Sequence, residues 1–597
     1  MNRDPARQAS DLADAFARHV ATWARAQQAP EAAVQAAARA ARDTSLATSA
    51  GHVCVALNGR ADIAALQALL LQSGVVGTPQ HPAGKPLVLD DDHRLYLHRY
   101  FDLERRLARR LQRAAAAPLP PPDSACGGAG GGGGAGAGAG AGAELLATLF
   151  GGRPDAAHAQ QRAAVALALG GRLTVISGGP GTGKTTTVVN LLACLLAQDP
   201  QARIQLAAPT GKAAARMSQA VRERSGHLPA ALRGRLPFEA STVHRLLGAT
   251  PDGRFMHHAG NRLALTVLVV DEASMLDLAL ATRLLEAVPD DARIVLLGDK
   301  DQLAAVESGS VFADISARST PAAAQGGLAG RVVWLEHNFR FAADSGVGQL
   351  AGHIRAGRAD ETRATLRSGG QGTLRWLDGS GSAPWAAMHE GLSPYLDAVA
   401  VGNVDAIDRA WAGFRVLCAV HDGPQGVVAV NAALTQWARE RLGGLDAAPH
   451  SPWYPGRPVL VLRNDPALKL FNGDIGITLP DPAAGGALRV CFPAPGNTWR
   501  ALAPARLPEH QTAYAMTVHK AQGSEFGQAL LLLPDLGSRV LTRELLYTAV
   551  TRVQHGLTLC ARATVLDQAV GQATRRQSGL QTRLVEASRQ AREQASE

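Results

Sequence analysis

A glycine-rich stretch followed by a lysine and three threonines is the strongest chemical signal in this sequence. It fits the pattern G-x-x-x-x-G-K-[ST], follows the apolar run LTVIS and precedes an apolar run of helical character. In that context backbone N–H groups surround phosphates, Lys184 neutralises the β- and γ-phosphates, and Thr185 ligates Mg²⁺ at a helix N-terminus. We therefore predict that ATP phosphates bind to Gly178, Gly179, Pro180, Gly181, Thr182, Gly183, Lys184, Thr185 and Thr186.

Two adjacent carboxylates, Asp271 and Glu272, end the apolar run LTVLVV. Because parallel strands deliver the residues that follow them to one edge of the sheet, both carboxylates should lie beside the phosphate-binding loop. We predict that Asp271 holds Mg²⁺ together with Thr185, and that Glu272 orients and deprotonates the attacking water. The alternative is that the pair only caps the next helix.

The elements around these residues alternate between strand and helix. Continuous apolar strands in such an alternation are typical of a parallel sheet covered on both faces. One set of strands and helices predicts an α/β domain at 144–337, and a second set predicts another at 338–597. Within the second, short runs separated by Gly and Pro predict a small β-rich insertion at about 455–511. The candidate strands lie at 173–177, 203–209, 265–272, 292–299, 416–420, 529–534 and 557–561.

The N-terminal part of the chain differs in composition from the rest. Residues 1–116 read as a mostly helical domain, because their apolar residues recur at helical spacing. Residues 117–143 are a Pro cluster followed by Gly and Ala repeats, which bury too little apolar surface to offset their ordering entropy. We predict a flexible linker there. The stretch 357–410 receives no assignment.

Composition excludes several classes of protein. The six cysteines are scattered without a C-x-x-C pair, which argues against zinc ribbons, iron–sulfur clusters and a disulfide framework. No run of about 18 apolar residues predicts a membrane span, and the N-terminus lacks the features of a secretory signal, so we expect a cytoplasmic protein. A net charge of +9 favours a polyanionic partner, although Arg-rich proteomes show the same bias without that function.

Further motifs distinguish this chain from other nucleotide hydrolases. In order they are QQRAAV, APTGKAAARM, VVDEASM, LLGDKDQLAAVESGSVF, LEHNFR, TVHKAQGSEF and LLYTAVTRV. Together with the phosphate loop they resemble the motifs of superfamily 1 helicases over most of residues 155–560. The resemblance implies an α/β fold of two RecA-like P-loop motor domains.

The same resemblance implies roles for single residues. Gln161 would read the adenine, and Gln302 would sense the γ-phosphate and link the ATP state to DNA. Arg340 and Arg552 would stabilise charge in the transition state, which an arginine from the second domain does only when the cleft is closed. Each arginine alone could equally be a surface ion-pair partner.

Seven hydroxyl and basic residues on loops after predicted strands could line a groove for single-stranded DNA. Such side chains suit phosphate contacts that position a strand without reading its sequence. The alternative is that the threonines cap helices and the histidines have local partners. The residues are Thr210, Lys212, Thr242, His244, Thr517, His519 and Lys520.

The branch of the family follows from TVHKAQGSEF, NGDIG and the N-terminal segments GHVCVAL and KPLVLDDDHRLYLHRYFDLERRLARRL. These resemble RecD, the alpha subunits of exodeoxyribonuclease V. The resemblance implies 5′-to-3′ translocation, an SH3-like insertion, and a helical N-terminal domain that docks on a RecB-like subunit in a heterotrimer with a RecC-like subunit. It also implies a small projection at about 218–241 that separates strands at duplex DNA ends.

Three other hypotheses remain beside a helicase subunit that processes double-strand ends for recombinational repair. A free-standing RecD-like helicase without nuclease partners is the nearest alternative. A regulatory subunit with degenerate ATPase motifs is disfavoured by intact motif residues. An intrinsic nuclease is unsupported, because the sequence has no cluster of carboxylates with a lysine outside the helicase motifs.

Overall fold

The computed structural model describes most of the chain. The described residues are 5–58, 62–117, 137–151, 156–250, 252–317, 328, 330–341, 345–378, 381–443, 450–465, 467–494 and 498–596. None of the helices among them is long and apolar enough to cross a membrane.

An N-terminal unit (5–116) combines helices with a small sheet. Its helices hold most of its residues, as the sequence predicts, but the two segments GHVCVAL and KPLVLDDDHRLYL form strands that we did not expect. The strand order is β1-β4-β3-β2. The elements are α1 Pro5–Ala26, α2 Glu31–Ser49, β1 Cys54–Ala56, α3 Ile63–Gln72, β2 Val76–Gly77, β3 Leu87–Leu89, β4 Arg94–Leu97 and α4 His98–Ala116.

The predicted linker is partly helical. Residues 118–136 lie outside the described part of the chain, but residues 137–143 belong to α5 Ala137–Phe150. Helix α5 packs along α7 Lys184–Gln198, and a Cβ atom at Gly142 would lie 2.9 Å from the Cys194 carbonyl oxygen. Glycine at this position therefore allows the two helices to approach closely.

A six-stranded parallel sheet forms the first unit (137–335), in the order β10-β5-β9-β8-β6-β7. Residues of one face pack on α4 and α11, and residues of the other face pack on α7, which gives the two-sided cover that the sequence predicts. Besides α5 and α7 the elements are α6 Ala156–Gly170, β5 Leu173–Gly178, β6 Ile204–Ala208, α8 Gly211–Arg224, α9 Ala230–Arg233, β7 Ala240–Thr242, α10 Val243–Leu246, β8 Val267–Val270, α11 Leu278–Ala287, β9 Arg293–Gly298, α12 Val311–Ile315 and β10 Val332–Leu335.

The prediction of a projection at 218–241 is wrong. Helix α8 continues to Arg224, and Leu228 and Leu236 are buried with Val221 in the core beside α7. Their apolar side chains therefore fold this segment onto the sheet. An exposed excursion lies instead between α10 and β8, where two isolated β-bridges, Ala249 to Phe255 and His258 to Asn261, make a small hairpin.

The second unit (346–571) is built on a five-stranded parallel sheet in the order β11-β20-β19-β12-β18. The unassigned stretch 357–410 supplies its edge strand β11 and three of its helices. The elements are α13 Gly346–Ala356, α14 Ala359–Arg367, β11 Leu374–Leu377, α15 Ala383–Val401, α16 Val404–Gly413, β12 Phe414–Cys418, α17 Val427–Arg441, β18 Ala515–Thr517, β19 Phe526–Leu532, α18 Arg543–Val550, β20 Val553–Cys560 and α19 Ala563–Gly571.

A separate antiparallel sheet interrupts the second unit between α17 and β18, as the sequence predicts. This β insertion (458–512) has the strand order β16-β15-β14-β13-β17. Its strands are β13 Pro458–Val461, β14 Ile475–Asp481, β15 Ala487–Ala494, β16 Thr498–Leu502 and β17 His510–Thr512. The chain then ends in α20 Leu580–Ser596, which packs against α4 of the N-terminal unit. Both the α/β fold class and its two parallel sheets confirm the prediction.

Candidate nucleotide-binding cleft

The phosphate-binding loop connects β5 to α7. Gly181 and Gly183 have φ angles of +83° and +82°, a left-handed conformation that favours glycine. A Cβ atom at Gly183 would lie 2.2 Å from the Gln161 amide nitrogen, so close packing also requires glycine. The Thr182 hydroxyl donates to the Gly179 carbonyl at 2.8 Å and closes the turn. With this backbone conformation, the loop leads directly into the first residues of α7.

Lys184 and the carboxylate pair meet at the carboxyl edge of the first sheet. The Lys184 ammonium donates to the Gly178 and Gly179 carbonyls at 2.5 and 3.0 Å. Burial, and next the Glu272 carboxylate, raise the pKa of Asp271 to about 6, while Lys184 opposes that rise. Glu272 has a φ of +51°, a left-handed conformation that is uncommon outside glycine, and this turns it into the same cleft.

These residues line a cavity of about 450 Å³ between the two units. Gly178 and Thr182 lie outside its lining and support the loop from behind. The cavity brings together these predicted residues: Gln161, Gly179, Pro180, Gly181, Gly183, Lys184, Thr185, Thr186, Asp271, Glu272, Gln302, Arg340 and Arg552.

Gln302 and Arg552 join the two units directly. The Arg552 guanidinium donates to the Gln302 side-chain oxygen at 3.0 Å, and both residues are buried. The Gln302 amide in turn donates to the Asp299 carboxylate at 3.0 Å. An arginine of the second unit and a glutamine of the first are therefore already in contact across the cleft.

Positive charge accumulates on the other wall of the cavity. Burial, and next the neighbouring Arg216, lower the pKa of Arg340 to about 10. Arg340 pairs with Glu525 at 2.5 Å, and Glu525 also pairs with Arg216. The Arg340 Nη1 atom is buried and has no hydrogen-bond partner within the described part of the chain. A polyanion bound in the cavity would balance the positive charge of these arginines.

Sequence reasoning missed several residues of the cleft. Arg216 and Glu525 lie inside the motifs APTGKAAARM and TVHKAQGSEF, but we assigned them no role. Phe339 follows Asn338 in LEHNFR and packs edge-on against His158 at 5.7 Å, beside Gln161 in the lining. Arg216, Phe339 and Glu525 lie inside motifs, but only the fold shows that their side chains line the cleft.

The proposed DNA-contacting residues follow β6, β7 and β18 but do not line the cavity. The hydroxyls of Thr210, Thr242 and Thr517 accept from the backbone amides of Ala213, Arg245 and Lys520, respectively. Thr210 and Thr242 cap α8 and α10, as the alternative interpretation predicts, and Thr517 closes a turn. DNA binding by these threonines stays a prediction.

The four basic residues of that set are partly buried or in contact with neighbours. Burial, and next Arg415, lower the pKa of Lys212 to about 8, and burial also lowers the pKa of His519 and of Lys520. The ring of His244 lies 5.9 Å from that of Phe255. The five described cysteines are free, as predicted, and Cys126 lies outside the described residues.

Comparison with known protein families agrees with these motifs. Residues 161–308 match the AAA domain family, and residues 512–560 match the UvrD-like helicase C-terminal domain family. The first match includes the phosphate loop, the carboxylate pair and Gln302, and the second includes Glu525 and Arg552.

Relatives with assigned names cover more of the chain. It is 42% identical to the RecBCD enzyme subunit RecD of Mycobacterium tuberculosis (strain CDC 1551 / Oshkosh), over 71% of this chain and 73% of the relative. The same subunit of Haemophilus influenzae is 32% identical, over 70% of this chain and 71% of the relative. The ATP-dependent RecD2 DNA helicase of Deinococcus radiodurans is 34% identical, over 64% of this chain and 46% of the relative. The chain belongs to the RecD family of ATP-dependent DNA helicases.

Proposed function

We propose that the cleft hydrolyses ATP and that this drives the chain along single-stranded DNA. One observation carries the proposal: the phosphate loop and carboxylates of the first unit share a cavity with Arg552 of the second. Hydrolysis in such a cleft depends on how the two units meet, so each cycle of binding and release can change the distance between two DNA-contacting surfaces.

Each residue has a distinct part in this reaction. Lys184 binds the β- and γ-phosphates, Glu272 holds the attacking water and accepts its proton, and Gln302 contacts the γ-phosphate. Arg340 and Arg552 stabilise the negative charge that develops on the transferred group. Gln161 binds the adenine, with Phe339 beside it.

Thr185 and Asp271 fit a magnesium ion. Both line the same cavity, and a hydroxyl and a carboxylate are the hard oxygen ligands that Mg²⁺ prefers. The raised pKa of Asp271 fits the assignment, because the positive charge of Lys184 does not offset burial and the Glu272 carboxylate, whereas a bound cation would. When bound, the ion neutralises phosphate charge.

Two loop clusters are proposed to hold the DNA strand. Thr210, Lys212, Thr242 and His244 belong to the first unit, and Thr517, His519 and Lys520 belong to the second. Their support is positional, since both clusters follow the carboxyl ends of parallel strands, where ligands commonly bind.

The direction and the partners of the motor come from its family. We infer 5′-to-3′ translocation and assembly with RecB-like and RecC-like subunits into a cytoplasmic helicase–nuclease that processes double-strand DNA ends. Relatives named as RecBCD enzyme subunits support the assembly. The ATP-dependent RecD2 DNA helicase is the alternative relative, but the match covers less than half of its length.

Two experiments test this proposal. Purified chain is given duplexes with a 5′ or a 3′ single-stranded tail, with the Lys184→Ala variant as control, and we expect ATP-dependent unwinding of the 5′-tailed duplex only. Preference for the 3′ tail would refute the direction. Co-purification with the RecB-like chain encoded in the same genome tests the assembly, and a chain that elutes alone would favour the free-standing alternative.

A further inference from the structure

Helix α18 of the second unit and Arg552, two residues after its end, meet the loop 299–303 of the first unit at three points. The Thr548 hydroxyl accepts from the Leu303 amide at 3.0 Å, and Arg552 donates to Gln302 at 3.0 Å. The Tyr547 hydroxyl and the Asp299 carboxylate are neighbours, because both lie within 4 Å of the point where a Cβ atom at Gly179 would be. Three positions of one helical segment therefore contact one short loop.

Tyr547 also covers the phosphate-binding loop. A Cβ atom at Gly179 would lie 2.7 Å from the Tyr547 hydroxyl oxygen and 3.7 Å from an oxygen of Asp299. Tyr547 is only 5% exposed, so its hydroxyl has exchanged water for these protein neighbours. The hydroxyl thus lies where the phosphate loop, the end of β9 and α18 come together.

Asp299 connects this hydroxyl to the residues of the cleft. Its carboxylate accepts from the Gln302 amide at 3.0 Å and from the Asp301 backbone amide at 3.0 Å. The same Gln302 side chain accepts from Arg552. Tyr547 and Arg552 are therefore linked twice, once along α18 and once through Asp299 and Gln302.

We propose that Tyr547 is a positioning residue, which acts through Asp299 to set how Arg552 approaches the terminal phosphate. The proposal rests on the proposed function, since it assigns Arg552 to the phosphate. The carbonyl of Tyr547 accepts from the Thr551 amide, so a shift of the tyrosine moves the helical turn that carries Arg552. Loss of the hydroxyl removes one of the three contacts between that turn and the first unit, without removing any group that binds ATP.

The test is Tyr547→Phe, which removes one oxygen and keeps the ring. Tyr395→Phe is the matched control, because that buried hydroxyl donates to the Gly456 carbonyl at 2.8 Å in the core of the second unit. DNA-stimulated ATP hydrolysis and thermal unfolding are measured for both variants. We expect Tyr547→Phe to lower kcat about ten-fold, the scale of one hydrogen bond to a carboxylate, and to leave KM for ATP within about two-fold. Tyr395→Phe should leave both unchanged.

A double-mutant cycle separates positioning from packing. If the hydroxyl acts through Asp299, then the Asp299→Asn variant and the double variant with Tyr547→Phe should have the same kcat. Losses that multiply, or equal kcat values for Tyr547→Phe and Tyr395→Phe, would overturn the proposal. A wild-type chain that hydrolyses no ATP would refute the proposed function first, and this inference with it.

Discussion

Arg552 is the residue whose position depends most on both units. Its guanidinium donates to Gln302 of the first unit and to the backbone carbonyls of Thr548 and Ser524 of the second, at 3.3 and 3.4 Å. A guanidinium with donors in several directions can hold the units together and still offer charge to a phosphate. A lysine has one ammonium group and lacks this planar set of donors.

We predict that Arg552→Lys retains ATP binding but loses hydrolysis by about 100-fold or more, because the group acts on charge that develops in the transition state. Binding of a fluorescent ATP analogue and steady-state ATPase measure the two effects. Lost nucleotide binding with unchanged turnover would contradict the role of Arg552.

The motif residues of the cleft could be predicted from sequence, and their neighbours could not. The positions of Gly183 and Lys184 are encoded in the local spacing of the motif, because a single loop conformation determines where both residues lie. Arg216 and Glu525 are over 300 residues apart and meet only because the two units pack together. No local pattern indicates such a pair.

The buried Glu104 side chain predicts that the stability of the fold depends on pH. Its side chain is fully buried, and its carboxylate accepts from the Ser578 hydroxyl and the Gly579 amide of the C-terminal segment, at 2.8 and 3.0 Å. Burial is the largest effect and raises the pKa of Glu104 to about 7. Because the folded pKa exceeds the unfolded one, the protonated group contributes stability that is complete at low pH and is lost as pH rises through about 7.

We therefore expect Glu104→Gln to flatten the decline of the unfolding temperature between about pH 5 and about pH 8. Thermal unfolding of the wild-type chain and the variant across that window is the measurement. Parallel pH profiles for the two proteins would show that Glu104 does not titrate in this range.

At the scale of elements, the strands were predictable and the projection was not. The seven apolar runs became β5, β6, β8, β9, β12, β19 and β20, because long apolar strands in a parallel sheet carry a strong local signal. The projection at 218–241 is an expectation from the family resemblance, whereas the leucines at 228, 232 and 236 of this chain fit a buried face. The hairpin at 249–261 has few apolar residues and gave no periodic signal.

The exposed hairpin is now the candidate strand separator of the first unit. Met256, which lies between its two β-bridges, is 60% exposed, so its apolar side chain is available to contact a base pair. Replacing residues 252–258 by a tight turn should reduce duplex unwinding several-fold while ATPase on single strands stays unchanged. Equal loss of both activities would show that the hairpin supports the fold instead. Shortening 226–235 serves as a control, since that change should disturb the core and lower the unfolding temperature.

At the scale of the whole molecule, the N-terminal unit is not independent of the motor. Leu107 and Leu111 of α4 share one buried core with Leu284 and Leu285 of α11. Helix α20, at the other end of the chain, also packs on α4. Its residue Arg583 forms a buried ion pair with Asp90 of the N-terminal unit at 2.7 Å. The sequence predicted a separate domain because the low-complexity linker suggests one, and helix periodicity does not reveal what a helix packs against.

This packing changes the expected result of a truncation. Sequence alone predicts that deletion of residues 1–116 leaves an active motor. The shared core predicts a destabilised one, since truncation of a single buried leucine to alanine already costs about 2–5 kcal/mol. We expect the truncated chain to unfold at lower temperature and to lose DNA-stimulated ATPase. Full activity and stability after truncation would contradict the shared core.

The central claim is that the cleft between the two parallel sheets is the site where DNA-stimulated ATP hydrolysis occurs. Its most direct test is the ATPase rate of the purified full chain, with and without single-stranded DNA, for the wild type and Lys184→Ala. Lys184 bonds only to loop carbonyls in the described structure, so its loss should leave the unfolding temperature nearly unchanged. We predict that DNA stimulates the wild type and that the variant hydrolyses no ATP above background. A folded Lys184→Ala chain with the turnover of the wild type would contradict the claim.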